Sequence, residues 1–171
     1  AAWGMPLAAG DVVERGALRV HALPPLPQPA FDRLLACSDL NFVRGEDSFV
    51  RAQWAGRPFV WHIYRQDDGV HEVKLQAFLD RHLAQCAEPA AAAVTALWRA
   101  WNGVDTGGHG TPARRADGLP LEALLDGPTW QAWNEGCLRW RQALLDQGSD
   151  LTGWLLDFAR RHDAQGAGAP A

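Results

Sequence analysis

Lysine and grouped positive charge are scarce in this 171-residue sequence: Lys74 is the only lysine beside fifteen arginines, and the net charge is −4. Nucleic-acid binding depends on clustered Lys and Arg side chains that neutralise phosphates, so the composition argues against a nucleic-acid partner. No apolar run approaches the roughly 20 residues that a membrane-spanning helix needs, and the first residues do not form a secretory signal. We therefore expect a cytoplasmic protein that contacts neither nucleic acid nor a membrane.

Cysteine is also scarce. Cys37, Cys86 and Cys137 are odd in number, far apart and in no C-x-x-C pair, which predicts neither a disulfide framework nor a zinc site. All three lie in helical patterns, so we expect buried or half-buried thiols. His62 and His71 match no common ligand spacing, and no metal is expected there.

The composition, 47% hydrophobic and 21% charged, is that of an ordinary globular domain. Short strands are predicted at residues 18–23, 40–43 and 59–63, with helical spacing at 31–35 and 49–55 between them. The β-α-β-α-β order with short loops is typical of an α/β fold with a Rossmann-like parallel sheet and helices on both faces. Three strands are few for such a sheet, so we expect part of it to lie upstream of this sequence.

The second half of the chain is predicted to be helical and rich in tryptophan. Five glycines in 103–118 predict a flexible loop, and small residues in 164–171 predict a disordered tail, which leaves a single domain over 1–163. Most of the nine tryptophans lie on helical stripes, which favours core packing over carbohydrate binding. The stripes are Leu75, Phe78, Leu79, Leu83 and Cys86; Val94, Leu97, Trp98 and Trp101; Trp130, Trp133, Cys137, Trp140 and Leu144; and Leu151, Trp154, Leu155 and Phe158.

A polar group follows the second predicted strand: Arg44, Gly45, Glu46, Asp47 and Ser48. In an open parallel sheet, ligands bind beyond the carboxyl ends of the strands, where helix N-termini direct free amides at anions. These five residues occupy that position. A second interpretation is purely structural: Asp47 or Ser48 caps the helix, and Arg44 pairs with Glu46 or Asp47 on the surface.

The run NFVRGEDSFVRAQWAG at 41–56, continued by PFVWHIY at 58–64, resembles the signature of the bacterial protein-arginine rhamnosyltransferases that modify translation elongation factor P. The resemblance is dense over about residues 18–83 and thin afterwards. It implies the C-terminal, nucleotide-sugar-binding half of a GT-B-type glycosyltransferase. It also implies inverting transfer of rhamnose from dTDP-β-L-rhamnose to an arginine of elongation factor P, with no metal and no other cofactor.

The same resemblance implies roles for individual residues. Glu46 matches a glutamate needed for activity, whereas Asp47 and Ser48 match residues that line the donor site. Gly45 lets the backbone approach the donor closely. Arg44 is positioned either to counter the diphosphate or to hold the two carboxylates in place, and the sequence does not choose between these roles.

A proline-rich turn at residues 24–28 corresponds to a Pro-Phe-x-Pro-Gln turn of the family. Gln28 matches the glutamine that touches the nucleotide, but Pro25 stands where an aromatic side chain stacks on the thymine base. The catalytic aspartates of the family's N-terminal domain have no counterpart here. We therefore expect this chain to bind donor poorly and to catalyse nothing alone.

Two other classes of function stay open at this point. One is a different nucleotide-sugar transferase or an epimerase with the same architecture. The other is a non-enzymatic α/β interaction domain in which residues 44–48 only begin a helix. The first would show a different base preference, and the second would bind no nucleotide.

Overall fold

The computed structural model describes residues 6–84, 86–104, 120–147 and 151–166, with side chains as far as residue 161. None of the helices in these ranges is both long and apolar enough to cross a bilayer. The elements in chain order are β1 (Val12–Arg15), β2 (Leu18–His21), α1 (Gln28–Cys37), β3 (Asn41–Arg44), α2 (Glu46–Ala55), β4 (Phe59–His62), α3 (Val70–His82), α4 (Ala90–Asn102), a 3-10 turn (Glu122–Leu124), α5 (Gly127–Asp146) and α6 (Leu151–Gly166).

The central unit is β3-α2-β4, and it confirms the α/β class. β3 and β4 pair in parallel, with Asn41 opposite Phe59 and Arg44 opposite His62. Helix α2 connects them, begins three residues earlier than predicted and ends at Ala55. Gly56 follows in the left-handed conformation (φ 67°) that favours glycine after a helix end. The apolar spacing in 40–61 therefore predicted these three elements to within a few residues.

The prediction of three parallel strands was wrong. β2 pairs with β1 as a separate antiparallel hairpin, in which Val12 faces His21 and Arg15 faces Leu18. Only Gly16 and Ala17 separate the strands, and Gly16 has a φ of 56°, as a two-residue hairpin turn requires. Such a short connection can join only antiparallel strands, since a parallel pair needs a crossover. In the described residues the parallel sheet thus has two strands.

Asn102, the last residue of α4, covers one edge of β4. Its side-chain oxygen accepts from the Ile63 amide at 3.0 Å, and its side-chain nitrogen donates to the Trp61 carbonyl at 2.8 Å and to the Trp98 carbonyl at 2.9 Å. Asn102 thereby takes the hydrogen bonds that another strand would otherwise supply to this edge.

The core lies between the sheet and helices α2 to α5. Its fully buried members include Phe59, Leu75, Leu97, Trp98 and Trp133. Phe78 packs among the aromatic rings at its centre. Core packing is therefore confirmed for the tryptophans on α4 and α5, whereas Trp54 and Trp154 are about half exposed.

The cysteines differ from one another. Cys137 is buried and Cys86 is half-buried, as expected, but Cys37 is exposed, which corrects the prediction for that residue. Cys37 is the last residue of α1, where the chain leaves the helix at Ser38. Burial raises the pKa of Cys137 to about 12, so its thiol stays neutral.

Most of the predicted loop at 103–118 lies outside the described residues. Gly103 follows α4 in the left-handed conformation with a φ of 69°. The predicted tail at 164–171 overlaps the last three residues of α6, which ends at Gly166, and its remainder lies outside the described residues.

Candidate functional site

The carboxyl end of the β3-β4 pair brings polar side chains together. Arg44 ends β3 and lies opposite His62, which ends β4. Helix α2 begins immediately after Arg44, so its first turn, with Glu46, Asp47 and Ser48, lies at the same edge of the sheet. This is the edge at which parallel α/β sheets bind ligands.

Helix α1 directs its N-terminus toward the same edge. Two contacts show that α1 and α2 run side by side in one direction: Arg51 on α2 donates to Asp32 on α1, and Arg57, just after α2, donates to the Ala36 carbonyl near the end of α1. Gln28 is the first residue of α1 and is exposed. The predicted residues 28 and 44–48 therefore share one edge of the fold.

Gly45 joins β3 to α2 in a conformation that excludes other residues. Its φ of 76° and ψ of −179° are accessible almost only to glycine. A Cβ atom here would lie 2.9 Å from the Tyr64 hydroxyl oxygen and 3.2 Å from the Tyr64 ring atom Cε2. The Gly45 carbonyl is held in place by the Trp61 indole N–H, which donates to it at 3.1 Å.

The N-terminus of α2 carries no side-chain cap. Gly45 has no side chain to accept a hydrogen bond, and no side chain in the described residues caps this end. The backbone N–H groups of the first turn are therefore available to an anion, and the helix dipole favours negative charge there. The interpretation in which Asp47 or Ser48 merely caps the helix is wrong.

Arg44 packs on Tyr64 and not on a carboxylate. Its guanidinium carbon lies 5.2 Å from the centroid of the Tyr64 ring, a cation-π distance. The predicted alternative, a surface ion pair with Glu46 or Asp47, is not found among the described residues. Tyr64 was missed as a site residue, although its place just beyond the carboxyl end of β4 was a usable signal.

The positive charge of Arg44 affects the pKa of its cross-strand neighbour, His62. The pKa of His62 is lowered, first by burial and then by Arg44 and Arg65. His62 is thus predominantly neutral near pH 7, and the positive charge at this edge comes from the arginines.

The two carboxylates of the first turn have different surroundings. Asp47 accepts a hydrogen bond from Arg51 Nε at 3.0 Å, and Arg51 also donates to Asp32 at 2.9 Å. These bonds, Asp32 first and Asp47 second, raise the pKa of Arg51. The Glu46 side chain is exposed, and no partner for it occurs in the described residues, so this carboxylate can reach a ligand.

Helix α2 is fixed in position by contacts along its length. The Phe49 ring stacks on Trp61 with 3.9 Å between centroids. Further along, Trp140 of α5 donates to the Gln53 side chain at 3.1 Å. The first turn of α2 is therefore held on a rigid support, as a binding site for a small anion requires.

Metal ligands do not converge at this edge. Across the described ranges, no three His, Cys, Asp or Glu side chains are grouped to hold an ion. His71 is buried, and its Nδ1 accepts the Gln66 amide at 3.2 Å, which closes the loop before α3. Its role is structural.

Comparison with known proteins identifies relatives of this chain. A family model described as "Elongation-Factor P (EF-P) rhamnosyltransferase EarP" matches residues 1–160. A protein-arginine rhamnosyltransferase of Pseudomonas putida is 58% identical over 97 residues, which is 57% of this chain and 26% of that protein. One from Shewanella oneidensis is 55% identical over 73 residues, which is 43% of this chain and 18% of that protein.

A solved structure supports the same relationship at the level of the fold. It is described as "Structural basis for EarP-mediated arginine glycosylation of translation elongation factor EF-P", and it is 38% identical to this chain with a TM-score of 0.67. The superposition covers 94% of this chain and 46% of the solved one. The matched segment thus spans about a quarter or less of the curated relatives and just under half of the solved chain.

Proposed function

This chain belongs to the EarP family of elongation-factor P rhamnosyltransferases, and on that basis we propose that it forms the donor-binding part of an inverting glycosyltransferase. The proposed donor is dTDP-β-L-rhamnose, and the proposed acceptor is an arginine side chain of translation elongation factor P, modified in the cytoplasm. The relevant part of the structure is the edge that carries Gln28 and residues 44–48.

The uncapped N-terminus of α2 is the observation that carries the proposal. Its free amides, with the hydroxyl of Ser48, supply donors for a diphosphate, and Gly45 provides the positive-φ backbone from which α2 begins at this edge. Arg44 adds a positive charge at the same edge. A diphosphate leaving group neutralised in this way needs no metal ion.

The nucleotide is placed by the turn that precedes α1. Gln28 begins α1 at the same edge as the diphosphate site, and its exposed amide can contact the nucleotide. Pro25 supplies an apolar face for the base in place of an aromatic ring, and this contact has less stacking energy.

Glu46 is the proposed catalytic residue. Its carboxylate is exposed and can bind and orient the acceptor guanidinium, which stays protonated in proteins. As a guanidinium nitrogen forms the bond to the anomeric carbon, the bond from that carbon to the diphosphate oxygen breaks, and the nitrogen gives up one proton to the carboxylate. Asp47 is proposed to contact hydroxyl groups of the donor, since it would repel the diphosphate. The remaining acidic groups are proposed to lie in the part of the longer relatives that this chain does not cover. This chain alone is therefore expected to bind donor weakly and to transfer nothing.

Ligand-observed NMR tests the donor site directly. This chain is titrated with dTDP-rhamnose, dTDP and UDP-glucose, and the same titrations are repeated on Ser48→Ala. Saturation transfer to the thymidine and rhamnose protons that weakens in the variant supports the proposal. Ser38→Ala is the matched control, because the Ser38 hydroxyl donates to the Leu34 carbonyl at the C-terminal end of α1, away from the proposed donor site.

The outcomes separate the proposed function from the other two classes. Equal binding of UDP-glucose and dTDP-rhamnose indicates a different nucleotide-sugar enzyme. Absence of binding, both in this chain and in a full-length enzyme of the family with the same residues, indicates an interaction domain. In that full-length enzyme, Glu46→Gln should lower transfer to elongation factor P by about 100-fold or more and leave dTDP affinity unchanged.

A further inference from the structure

Asp47 pairs with a side chain one turn further along α2 and, among the described residues, not with the backbone amides of the first turn. Its carboxylate accepts from Arg51 Nε at 3.0 Å, one turn further along the helix. A carboxylate in the first turn of a helix can otherwise turn back and accept from the free amides of that turn. The bond to Arg51 therefore occupies this carboxylate and leaves those amides open.

Arg51 is held in turn by a second carboxylate. Its Nη1 donates to both oxygens of Asp32 on α1, at 2.9 and 3.0 Å. The Arg51 side chain is 23% exposed, against 49% for Asp32 and 74% for Asp47, so the guanidinium is the most protected of the three groups. Two partners on different helices restrict it to one orientation.

The geometry points to Arg51 as a positioning residue that keeps the anion site at the start of α2 open. The inference rests on the proposed function, in which these amides hold the diphosphate of the donor. Arg51 acts through Asp47: it directs the carboxylate away from the amides and compensates a charge that would repel the diphosphate. Through Asp32, Arg51 also holds α2, whose first turn is the proposed diphosphate site, against α1, which begins with Gln28.

If the ion pairs of Arg51 have a purely structural role, the expected result of removing Arg51 is different. Such pairs add little to stability, and the helices α1 and α2 are also joined by Arg57 and the Ala36 carbonyl. Loss of Arg51 should then change the melting temperature slightly and leave ligand affinity unaffected. The two roles are therefore separated by binding measurements.

The experiment measures binding of inorganic pyrophosphate and dTDP-rhamnose by titration calorimetry, in this chain and in a full-length family enzyme with the same substitutions. Arg51→Ala should weaken both ligands by about tenfold. The double variant Asp47→Ala/Arg51→Ala should recover pyrophosphate binding, because the competing carboxylate is gone. It should not recover dTDP-rhamnose binding, because Asp47 is proposed to contact the donor hydroxyls.

Two further variants complete the design. Arg51→Lys, which keeps the charge but loses the fork, should lie between wild type and Arg51→Ala. Arg139→Ala removes another ion pair of the same i,i+4 type, with Glu135 at 3.7 Å, and should change neither affinity.

Pyrophosphate affinity that is unchanged in Arg51→Ala, or equally weak in the single and double variants, would overturn the inference and leave the donor site standing. If the wild-type protein binds neither ligand in either form, the proposed function fails and the inference fails with it.

Discussion

The hydroxyl oxygen of Tyr64 lies 2.9 Å from the position that a Cβ atom would take at Gly45. The ring that carries this hydroxyl also lies under the Arg44 guanidinium. Tyr64 thus lies next to both Gly45, where α2 begins, and Arg44, the cation of the same edge. A change at Gly45 therefore reaches both the amides and the arginine of the proposed anion site.

Gly45→Ala should destabilise the fold and weaken donor binding. A positive φ with an extended ψ costs an alanine about 1–3 kcal/mol, and the methyl group must also displace Tyr64. We expect a loss of free energy of unfolding in that range, measured by urea denaturation, and dTDP-rhamnose affinity reduced by about tenfold or more.

Gly69→Ala is the control for this substitution. Gly69 has a similar φ of 74° but nothing within 4 Å of the position of a Cβ atom. It should lose stability through backbone strain alone and bind dTDP-rhamnose normally. Equal effects of the two substitutions on affinity would show that the contact with Tyr64 is not important for the site.

Trp61→Phe should weaken donor binding through the Gly45 carbonyl. The phenyl ring keeps the stacking on Phe49 but loses the N–H that holds this carbonyl, and a buried hydrogen bond contributes about 1 kcal/mol. Trp98→Phe is the matched control, because the Trp98 N–H is buried and has no hydrogen-bond partner in the described residues. Both variants should lose stability through the smaller ring, but only Trp61→Phe should lose affinity for dTDP, as calorimetry can determine.

Residues that end strands and helices explain why β3, α2 and β4 could be predicted from the sequence. Gly45, Gly56 and Pro58 mark the ends of these elements, and each acts through its own backbone conformation. The hairpin of β1 and β2 could not be predicted in the same way, because β1 (VVER) ends in two charged residues and three of its four residues are exposed, so no apolar pattern marks it. Which strand β2 pairs with depends on hydrogen bonds between strands, and the hydrophobic pattern within one strand does not specify them.

The candidate site could likewise be predicted only where its residues are close together in the sequence. Residues 44–48 were predicted as a site because they are contiguous, follow a strand and lie in a run that resembles the family signature. The contacts of Arg44 with Tyr64 and of Arg51 with Asp32 join residues 20 and 19 positions apart, and they depend on how the helices and loops pack. Periodicity shows which face of a helix is apolar but not which side chain of a neighbouring helix it meets.

Asn102→Ala should be strongly destabilising. The side chain makes three hydrogen bonds, two of them to backbone groups of Trp61 and Ile63 at the edge of the sheet, and it is 5% exposed. Removal leaves buried donors and acceptors unpaired, so we expect a loss of about 2–4 kcal/mol in urea denaturation. Asn134→Ala removes a single bond, to the Trp130 carbonyl on the same helix, and should cost less than about 1 kcal/mol. Equal losses would contradict the role assigned to Asn102.

His82 should make the fold sensitive to acid. Burial lowers the pKa of His82 from 6.5 to about 4, and its Nδ1 has no hydrogen-bond partner in the described residues. Between these two pH values the unfolded chain binds more protons at this position than the folded chain, so stability falls as the pH falls from about 6.5 to about 4. The difference of about 2.5 pKa units corresponds to about 3 kcal/mol.

The variant His82→Leu separates this contribution from that of the carboxylates, which titrate in both proteins. Leucine suits the aromatic surroundings of Phe59 and Phe78 and carries no proton, so the difference in unfolding free energy between variant and wild type should grow as the pH falls below 6.5. Urea denaturation at a series of pH values between these limits measures it. Parallel stability profiles for the two proteins would show that His82 is protonated as easily in the folded chain as in the unfolded one, and that its burial costs nothing in acid.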